Sequence, residues 1–392
     1  MSEKIKRVLI VVKSPITRDP RVRRQIEWMI QDGWIVDTVG PVGHHVPGVE
    51  THFGVNHSPA WTRSRHVAPL MYTVVPHGLL FRFLFENRIP KTVKQRISSN
   101  HYDLVLFNDH HYLPWIRTRA VFTADVVRRG IHLDMHEYLH PPTVKNGWWQ
   151  ISPDRYYSWV RTFIGTPRLS TRSTVASGIS DLYAKELGIP EMSIVRNAPA
   201  YVEQKPSAVA ADSIELLYHG AATDLRGIPQ LLEAMRHLPS RFRLTLILVG
   251  EERKIAEYKR TAQEERLLVS FEPPVPVEEI ATYINKFDVL VMFYPPLNRN
   301  LEFALPNKLF EALQARLALV MGESSMMTEI VTEYSNGVVV AGWSADDLAQ
   351  SIEQLTAESV SAMKSNSDRA ARDISAETER AAFFESITTT NE

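Results

Sequence analysis

The sequence predicts an α/β protein with two domains, each built around a parallel β-sheet. The chain has 392 residues, more than one ordinary hydrophobic core accommodates. In each half, short apolar runs of strand length alternate with longer segments of helical periodicity, the pattern of parallel sheets with crossover helices. A segment rich in Pro and Ala, without apolar periodicity, separates the halves at residues 197–212.

The first half opens with a βαβ unit. A strand at 8–12 leads to a helix that Asp19 caps and Pro20 begins, and Gly33 ends this helix before a strand at 34–39. Further strands are predicted at 104–107, 131–134 and 174–177, with helices at 113–129 and 179–187. These strands end in polar residues, at the edge where open α/β sheets bind their ligands.

The second half restarts the same alternation after the linker. Strands are predicted at 214–218, 244–249, 289–293 and 318–321, and helices at 228–235 and 309–315. The tail from residue 357 onward is charged, rich in alanine and helical in propensity.

The composition excludes several classes of protein. Lys and Arg number 44 against 45 Asp and Glu, so no overall field attracts the chain to nucleic acid. Cysteine is absent, which excludes a disulfide framework, a thiolate nucleophile and cysteine-ligated metal centres, and fits a reducing cytoplasm. The apolar run at 8–12 is too short for a signal peptide or a membrane span.

Two segments of the second half have the chemistry of a diphosphate site. Proteins hold diphosphates with helix N-termini, glycine-flanked turns and cations. Gly220 lies in a small-residue turn after a strand, and Arg226 follows just before a helix. In the alternative interpretation, Arg226 is a solvated loop cation.

The segment ALPNKLFEAL, residues 304–313, is the more informative of the two. It places Asn307 and Lys308 at a helix start, where backbone amides and an ammonium group can face phosphate oxygens. Glu311 follows one turn later, where its carboxylate can accept hydrogen bonds from ribose hydroxyls. The alternative is a capped amphipathic helix in which Glu311 only favours the helix dipole.

Five segments of the chain resemble the retaining glycosyltransferases of family 4. TRDPRVRRQIEWMIQDGWIVDTVG is similar to the family's first loop and helix, LDMHEYLHP to its short Asp, His and Glu motif, and VRNAP to its crossing segment. LLYHGAATDLRGIPQLLEAM and LPNKLFEALQARLALV are similar to its diphosphate and ribose motifs. The last segment resembles a branch with a PNKxFE motif, and the resemblance covers nearly the whole chain.

This resemblance implies the GT-B fold, in which two Rossmann-like domains with parallel sheets face each other across a cleft. We expect an acceptor domain at 1–196, a linker at 197–212, a nucleotide-sugar domain at 213–368, and a C-terminal helix at 369–392 that returns to the first domain. The implied reaction moves a sugar, with retention, from a UDP- or GDP-type nucleotide sugar to a hydroxyl of a glycan or lipid-linked acceptor. Such reactions serve the synthesis of cell-surface polysaccharide or glycoconjugate, and GT-B enzymes generally use no cofactor or metal.

The resemblance also assigns roles in the second half. Glu311 would hold the ribose, Arg226 and Lys308 would neutralise the diphosphate, and Glu302 would reach the donor sugar. The full nucleotide-binding set is Gly220, Arg226, Gly250, Asn307, Lys308, Leu309 and Glu311.

The sequence departs from the commoner family pattern at three places. Glu302 and Glu311 are nine residues apart, a wider spacing than usual. Ala221 stands where a basic residue is frequent, and Arg316 opens what is usually a turn of small residues. We therefore expect fewer contacts to the diphosphate than usual.

In the first half, the resemblance places His110 near the donor sugar, with Asp109 orienting it or an acceptor hydroxyl. His136 and Glu137 would line the acceptor side, and Arg18 and Arg21 are candidates for binding an anionic acceptor. The expected same-face attack within an ion-pair-like transition state needs a dry cleft, not a strong base.

Each of these assignments has a structural alternative. His111 could cap the following helix, His136 could be a hydrogen-bonded core residue, and Arg18 and Arg21 could be ordinary surface charge. A metal site of these His, Asp and Glu side chains is the weaker interpretation, because no helix-spaced HExxH motif occurs.

Two aromatic segments leave alternatives open. Residues 79–97 mix Phe and Leu with five cations, so they could rest on an anionic bilayer, on the inner face of the cell membrane, or bury a Phe stripe. Residues 147–163 could stack on sugar rings or fill the core. Two rival functions also stand, a nucleotide-sugar 2-epimerase of the same fold and a non-catalytic GT-B scaffold protein.

Overall fold

The computed structural model describes residues 6–43, 46–56, 67–118, 121–122, 130–139, 151–293, 295–296 and 298–388. The chain divides into two compact units. The first contains Met1–Val195 together with Arg380–Glu392, and the second contains Arg196–Glu379. Each unit is a Rossmann-like α/β layer structure around one parallel sheet, as the sequence predicts.

The first unit has a seven-stranded parallel sheet in the order β3-β2-β1-β4-β5-β6-β7. Its strands are β1 (Arg7–Val12), β2 (Ile35–Pro41), β3 (Thr51–Val55), β4 (Leu104–Asn108), β5 (Ile131–Met135), β6 (Thr171–Thr174) and β7 (Ser193–Ile194). The continuous apolar runs of β1 and β4 are buried in the middle of the sheet, as expected for strands covered on both faces.

Helices and 3₁₀ turns connect these strands. They are α1 (Pro20–Gln31), α2 (Val67–Val74), α3 (His77–Leu84), α4 (Lys91–Ser99), α5 (Ile151–Arg161) and α6 (Ser177–Leu187), with 3₁₀ turns at Ile16–Arg18, Glu86–Arg88 and Leu113–Arg117. The predicted cap of α1 is confirmed, because the Asp19 carboxylate accepts from the amide of Val22 at 3.2 Å.

Two expectations for this unit are wrong. Of the helix predicted at 113–129, the described residues form only the 3₁₀ turn Leu113–Arg117, and Thr118 and 121–122 are not helical. The β-branched residues Ile116, Thr118 and Val121 disfavour a longer α-helix, and 119–120 and 123–129 lie outside the described residues. The strand predicted at 174–177 lies earlier, as β6 at Thr171–Thr174, and α6 already begins at Ser177.

The second unit has a six-stranded parallel sheet in the order β10-β9-β8-β11-β12-β13. Its strands are β8 (Ile214–Ala221), β9 (Phe242–Val249), β10 (Val269–Glu272), β11 (Val289–Met292), β12 (Ala318–Gly322) and β13 (Gly337–Val340). Its helices are α7 (Ile228–His237), α8 (Glu252–Glu264), α9 (Ile280–Ile284), α10 (Arg299–Glu302), α11 (Asn307–Gln314), α12 (Ser325–Tyr334), α13 (Ala345–Glu353) and α14 (Ala357–Asp373). Two hydrophobic clusters, one on each face of the sheet, form its core.

The linker region and the tail attach to these units by specific contacts. Residues 197–212 have no helix or strand, and Gln204 donates to the carbonyl oxygens of Ala281 and Gln314 in the second unit. The last helix, α15 (Ala376–Ile387), places Phe383 against Trp28 of α1, with ring centroids 5.5 Å apart. Among the described residues, no helix is long and apolar enough to cross a membrane.

Candidate functional site

The second unit places Lys308 beside the carboxyl end of β8. Lys308 lies in the first turn of α11, and its Nζ atom is 3.5 Å from the Tyr218 hydroxyl and 4.5 Å from the centroid of that ring. Gly220 has a φ of 125°, and a Cβ atom there would lie 2.6 Å from Nζ of Lys308. Glycine at this position therefore leaves room for the ammonium group where the strand ends.

Arg226 lies in the turn that follows β8, and its charge acts on the same Lys308 ammonium group. It ends the 3₁₀ turn Asp224–Arg226, and Gly227 follows as the N-cap of α7 with a φ of 71°. A Cβ at Gly227 would lie 1.5 Å from the carbonyl oxygen of Phe293, so this turn packs tightly against the end of the sheet. Burial and the charge of Arg226 lower the pKa of Lys308 to about 7, although Glu311 acts in the opposite direction.

This arrangement suits a polyanionic ligand. Two cationic side chains lie near enough for the charge of Arg226 to help lower the pKa of Lys308. A diphosphate would supply the missing negative charge and favour the protonated form of Lys308. Ala221, where the family often has a basic residue, ends β8, and the Lys308 ammonium group lies beside the neighbouring Gly220.

Glu311 lies one turn into α11 and is half-buried. Its Oε2 atom is 3.7 Å from Nε2 of His219, a residue on β8 that is only 5% exposed. Burial, helped by the charge of Lys308, lowers the pKa of His219 to about 3, so the imidazole is neutral. Sequence analysis did not single out His219, because a histidine within an apolar strand resembles a core residue.

The other predicted nucleotide-binding residues differ in their exposure to solvent. Asn307 is exposed and its side-chain oxygen accepts from Asn197 at 2.7 Å. Leu309 is fully buried in the core, and its amide donates to the carbonyl oxygen of Pro306 within the helix turn, so its assignment to ligand binding stays a prediction. Gly250 is exposed directly after β9, and a Cβ atom there would lie 3.4 Å from Cβ of Ala222.

Glu302 does not join this group by any contact among the described residues. It ends the short helix α10, and its carboxylate bonds to Nη1 of Arg299 at 2.9 Å on the surface. Its role toward a donor sugar stays a prediction.

In the first unit, Asp109 lies directly after β4 and accepts hydrogen bonds from two imidazoles. His110 Nδ1 is 2.9 Å from one carboxylate oxygen, and His111 Nδ1 is 3.2 Å from the other. The two histidine rings stack with their centroids 4.0 Å apart. Burial opposes ionisation of Asp109, but the two histidines outweigh it and hold the pKa of the carboxyl well below its usual range.

This pairing sets the chemistry of His110. Because Nδ1 donates to Asp109, the neutral ring has its lone pair at Nε2. That atom is buried and has no hydrogen-bond partner among the described residues. His110 can therefore accept a hydrogen bond at Nε2, and its role near the donor sugar stays a prediction.

A cavity of about 350 Å³ lies at the carboxyl ends of β1, β4 and β5. It is lined by Val12, Lys13, Ser14, Pro15, Asp19, Asn108, Asp109, His111 and His136. His136 Nε2 lies 3.0 Å from the side-chain oxygen of Asn108 and 3.5 Å from the Asp134 carboxylate. Burial disfavours its cation, but Asp134 outweighs burial and raises the pKa of His136.

The remaining acceptor candidates lie outside this cavity lining. Arg18 and Glu137 are exposed, and neither lines the cavity. The suggestion that Arg21 binds an anionic acceptor was wrong, because Arg21 is buried and its guanidinium donates two hydrogen bonds to Asp134, at 2.7 and 2.6 Å. These two parallel hydrogen bonds hold the guanidinium in the protein interior.

Asp109, His110 and His111 are also the described residues that come nearest to a metal-ligand set, with their ligand atoms within 4.8 Å of one another. The Nδ1 atoms of both histidines already bond to the carboxylate oxygens. These short distances describe a hydrogen-bonded cluster that leaves Nε2 of His110 without a partner among the described residues.

Two of the aromatic residues around α5 fill the core. Tyr156 and Phe163 are buried, whereas the Tyr157 ring lies 5.9 Å from His110 in an edge-on arrangement. Trp148 and Trp149 lie outside the described residues.

Comparison with known proteins gives the second unit a family. Residues 213–358 match the family model of glycosyl transferases group 1. The second unit is a glycosyl transferases group 1 domain. Lys308, Glu311, Arg226 and His219 all lie within this domain. Sequence comparison with curated proteins gives no significant match.

Solved structures resemble the whole chain. Sucrose-phosphate synthase from Thermosynechococcus elongatus has a TM-score of 0.68 at 16% identity, covering 97% of this chain and 98% of its own. HepE from Anabaena, in complex with UDP and glucose, has a TM-score of 0.64 at 16% identity, covering 97% and 98%. The UDP-forming α,α-trehalose-phosphate synthase of Burkholderia xenovorans has a TM-score of 0.63 at 10% identity, covering 99% and 100%. At such identities the likeness shows the fold, and the predicted GT-B fold class is confirmed.

Proposed function

We propose that the protein is a retaining glycosyltransferase that moves a sugar from a nucleotide diphosphate sugar to a hydroxyl of a glycan or lipid-linked acceptor. The observation that carries this proposal is the group formed by Arg226, Lys308 and Glu311 within the glycosyl transferases group 1 domain. Two cations suit a diphosphate, and a carboxylate one helix turn away suits the vicinal hydroxyls of a ribose.

We propose a UDP sugar as the donor. Structures of Anabaena HepE with UDP and with UDP-glucose, and of an Escherichia coli protein with UDP-2-fluoro glucose, share the fold of this chain. The buried Nε2 atom of His110 and the cavity beside Asp109 give the first unit a polar group and a space for an acceptor. No cation other than the side chains of Lys308 and Arg226 is assigned to the leaving diphosphate.

The function is tested in two steps. Thermal shift and calorimetry with UDP, GDP and their sugar conjugates identify the donor, and the anomeric configuration of the transferred or hydrolysed sugar is then read by NMR. We expect a UDP sugar to stabilise the protein and the product to keep the donor's configuration. Release of free epimerised donor would support the 2-epimerase, and absence of any nucleotide binding would support the scaffold protein.

We also propose that α2 and α3 hold the protein on an anionic membrane surface. Half of the ten exposed large apolar side chains among the described residues fall on these two helices. They are Val67, Leu70, Val74, Leu79 and Phe83, which are 41% to 67% exposed. On α2 they follow helical spacing and so form one stripe.

Charge supports a lipid occupant for this surface. Between residues 82 and 96 the chain carries Arg82, Arg88, Lys91, Lys94 and Arg96 against the single carboxylate of Glu86. Apolar side chains beside a cationic segment suit a bilayer that contains anionic headgroups. This surface begins earlier in the chain than the stretch 79–97 and includes α2.

Vesicle co-sedimentation tests the membrane proposal. We expect binding to vesicles that contain phosphatidylglycerol, little binding to phosphatidylcholine alone, and weaker binding after Val74→Ser combined with Phe83→Ser. Val277→Ser, on an equally exposed apolar residue of the second unit, is the matched control and should have no effect. Equal binding by both variants, or no binding to either lipid, contradicts the proposal.

A further inference from the structure

His219 is a buried polar residue with an unused atom that faces the proposed ribose carboxylate. It lies on β8 next to Gly220, is 5% exposed, and its Nε2 atom has no hydrogen-bond partner among the described residues. A buried imidazole nitrogen without a partner is unfavourable, so such atoms usually have a use. The Oε2 atom of the Glu311 carboxylate lies 3.7 Å from this nitrogen.

We propose that His219 is a positioning residue that donates its Nε2–H to Oε2 of Glu311 when a nucleotide binds, and so aims the other carboxylate oxygen at the ribose hydroxyls. This inference rests on the proposed nucleotide site. The present separation is 3.7 Å, so an approach of about 0.7 Å would bring the two atoms to ordinary hydrogen-bond distance.

The chemistry of the neighbours favours this role over direct contact with phosphate. Burial and Lys308 lower the pKa of His219 to about 3, so the neutral ring adds no positive charge for a diphosphate. A neutral imidazole can still donate one hydrogen bond, and a carboxylate is the strongest acceptor within reach. Fixing one oxygen of Glu311 reduces the conformations that must be lost when the ribose binds.

A purely structural His219 would behave differently. Replacement by leucine removes the unpaired nitrogen and keeps an apolar side chain, so the ligand-free protein should be as stable as the wild type or more stable. Replacement by glutamine keeps an N–H donor at a similar distance from the backbone. Comparison of the two variants therefore separates the effect of the N–H group from the effect of side-chain volume.

The test measures the affinity of the wild type, His219→Leu, His219→Gln and Glu311→Gln for UDP and for its 2′,3′-dideoxy analogue by calorimetry. We expect His219→Leu to weaken UDP binding by about tenfold, to leave binding of the dideoxy analogue unchanged, and to keep or raise the melting temperature. His219→Gln should restore most of the preference for UDP. In the double variant of His219→Leu and Glu311→Gln, the two losses should not add.

The outcomes distinguish this inference from the proposed function. If the wild type binds neither nucleotide, the proposed function fails. If the wild type prefers UDP over the dideoxy analogue and His219→Leu keeps that preference, the role of His219 is wrong while the nucleotide site stands. If His219→Leu weakens both ligands equally, or if His219→Gln fails to restore the preference, His219 does not act through Glu311.

Discussion

The ammonium group of Lys308 lies 4.5 Å from the centroid of the Tyr218 ring and 3.5 Å from its hydroxyl oxygen. A cation held against an aromatic face keeps some stabilisation while it loses water. The loss of water and the charge of Arg226 outweigh this stabilisation, so the pKa of Lys308 falls to about 7. The protonation of this residue is therefore sensitive to a bound anion.

The affinity for UDP should weaken as the pH rises above about 7. Ligand-free Lys308 loses its proton around that pH, whereas a bound diphosphate favours the cation and raises its pKa. Binding then takes up a proton in the window between the two pKa values, and calorimetry in buffers of different ionisation enthalpy measures this uptake. Lys308→Met should abolish it, and a wild-type affinity that does not change between about pH 6 and about pH 9 would show that Lys308 does not contact the ligand.

Removal of His110 should separate chemistry from nucleotide binding. His110→Ala deletes the Nε2 atom, so hydrolysis or transfer of the donor sugar should slow by about 100-fold or more. The affinity for UDP should stay within about twofold, because the nucleotide residues lie in the second unit. Nucleotide release from the donor and calorimetry with UDP measure the two effects.

His111→Phe is the matched control for His110. It keeps a ring against His110, whose centroid lies 4.0 Å from that of His111, and removes only one of the two bonds to Asp109. We expect a smaller loss of rate than for His110→Ala. Full activity of His110→Ala, or an equal loss in both variants, contradicts the assigned role.

The buried pair Arg21 and Asp134 should dominate the stability of the first unit. Their side chains are 5% and 0% exposed, so Arg21→Met leaves a buried carboxylate and should cost about 3–5 kcal/mol. Arg243→Met, in an exposed pair with Glu215 at 4.0 Å, is the control and should cost less than about 0.5 kcal/mol. Denaturant unfolding measures both.

The pH dependence of that pair gives a second measurement. Burial opposes ionisation of Asp134, but Arg21 outweighs it and holds the pKa well below the usual value. The contribution of the pair is therefore complete above the unfolded pKa, about 4, and is lost only as the pH falls through the lower folded value. In Arg21→Met, burial raises the pKa of Asp134, so the deficit should shrink as the pH falls from about 7 to about 5. A deficit that grows over this range contradicts the assignment.

Chelation should leave the activity unchanged. The Nδ1 atoms of His110 and His111 already bond to the Asp109 carboxylate, which leaves Nε2 of His110 as a buried atom without a partner among the described residues, whereas a zinc site needs several protein ligands. We therefore expect equal donor turnover before and after dialysis against EDTA. Loss of turnover that zinc or manganese restores would make this cluster a metal site.

Local patterns in the sequence were sufficient for the central strands of both sheets, the cap of α1 by Asp19, and the placement of Lys308 and Glu311 on a helix, but not for the edge strands β3, β7, β10 and β13. These features depend on spacing within one segment. Arg21 could not be assigned in this way, because its partner Asp134 is 113 residues away in the chain. His219 was missed for the same reason, since only the packing of α11 against β8 brings it to Glu311.

One departure from the family pattern, Arg316, lies in the protein interior. Arg316, which replaces a small residue, is fully buried, and its Nε atom donates to Asp368 at 2.6 Å. It also bonds to the carbonyl oxygen of Val202 at 2.8 Å, so it connects α11 to the linker and to α14. A buried arginine of this kind was not predictable from the motif, because its carboxylate partner lies 52 residues later.

The affinity of the protein for UDP and GDP, with and without Lys308, tests the central claim most directly. Lys308→Met removes the ammonium group beside Gly220, and Lys286→Met removes a surface cation that pairs with Glu272 in the same unit. Calorimetry should show that the wild type binds one nucleotide, that Lys308→Met weakens it by about tenfold or more, and that Lys286→Met has no effect. No binding by the wild type, or equal affinity of wild type and Lys308→Met, would contradict the nucleotide site.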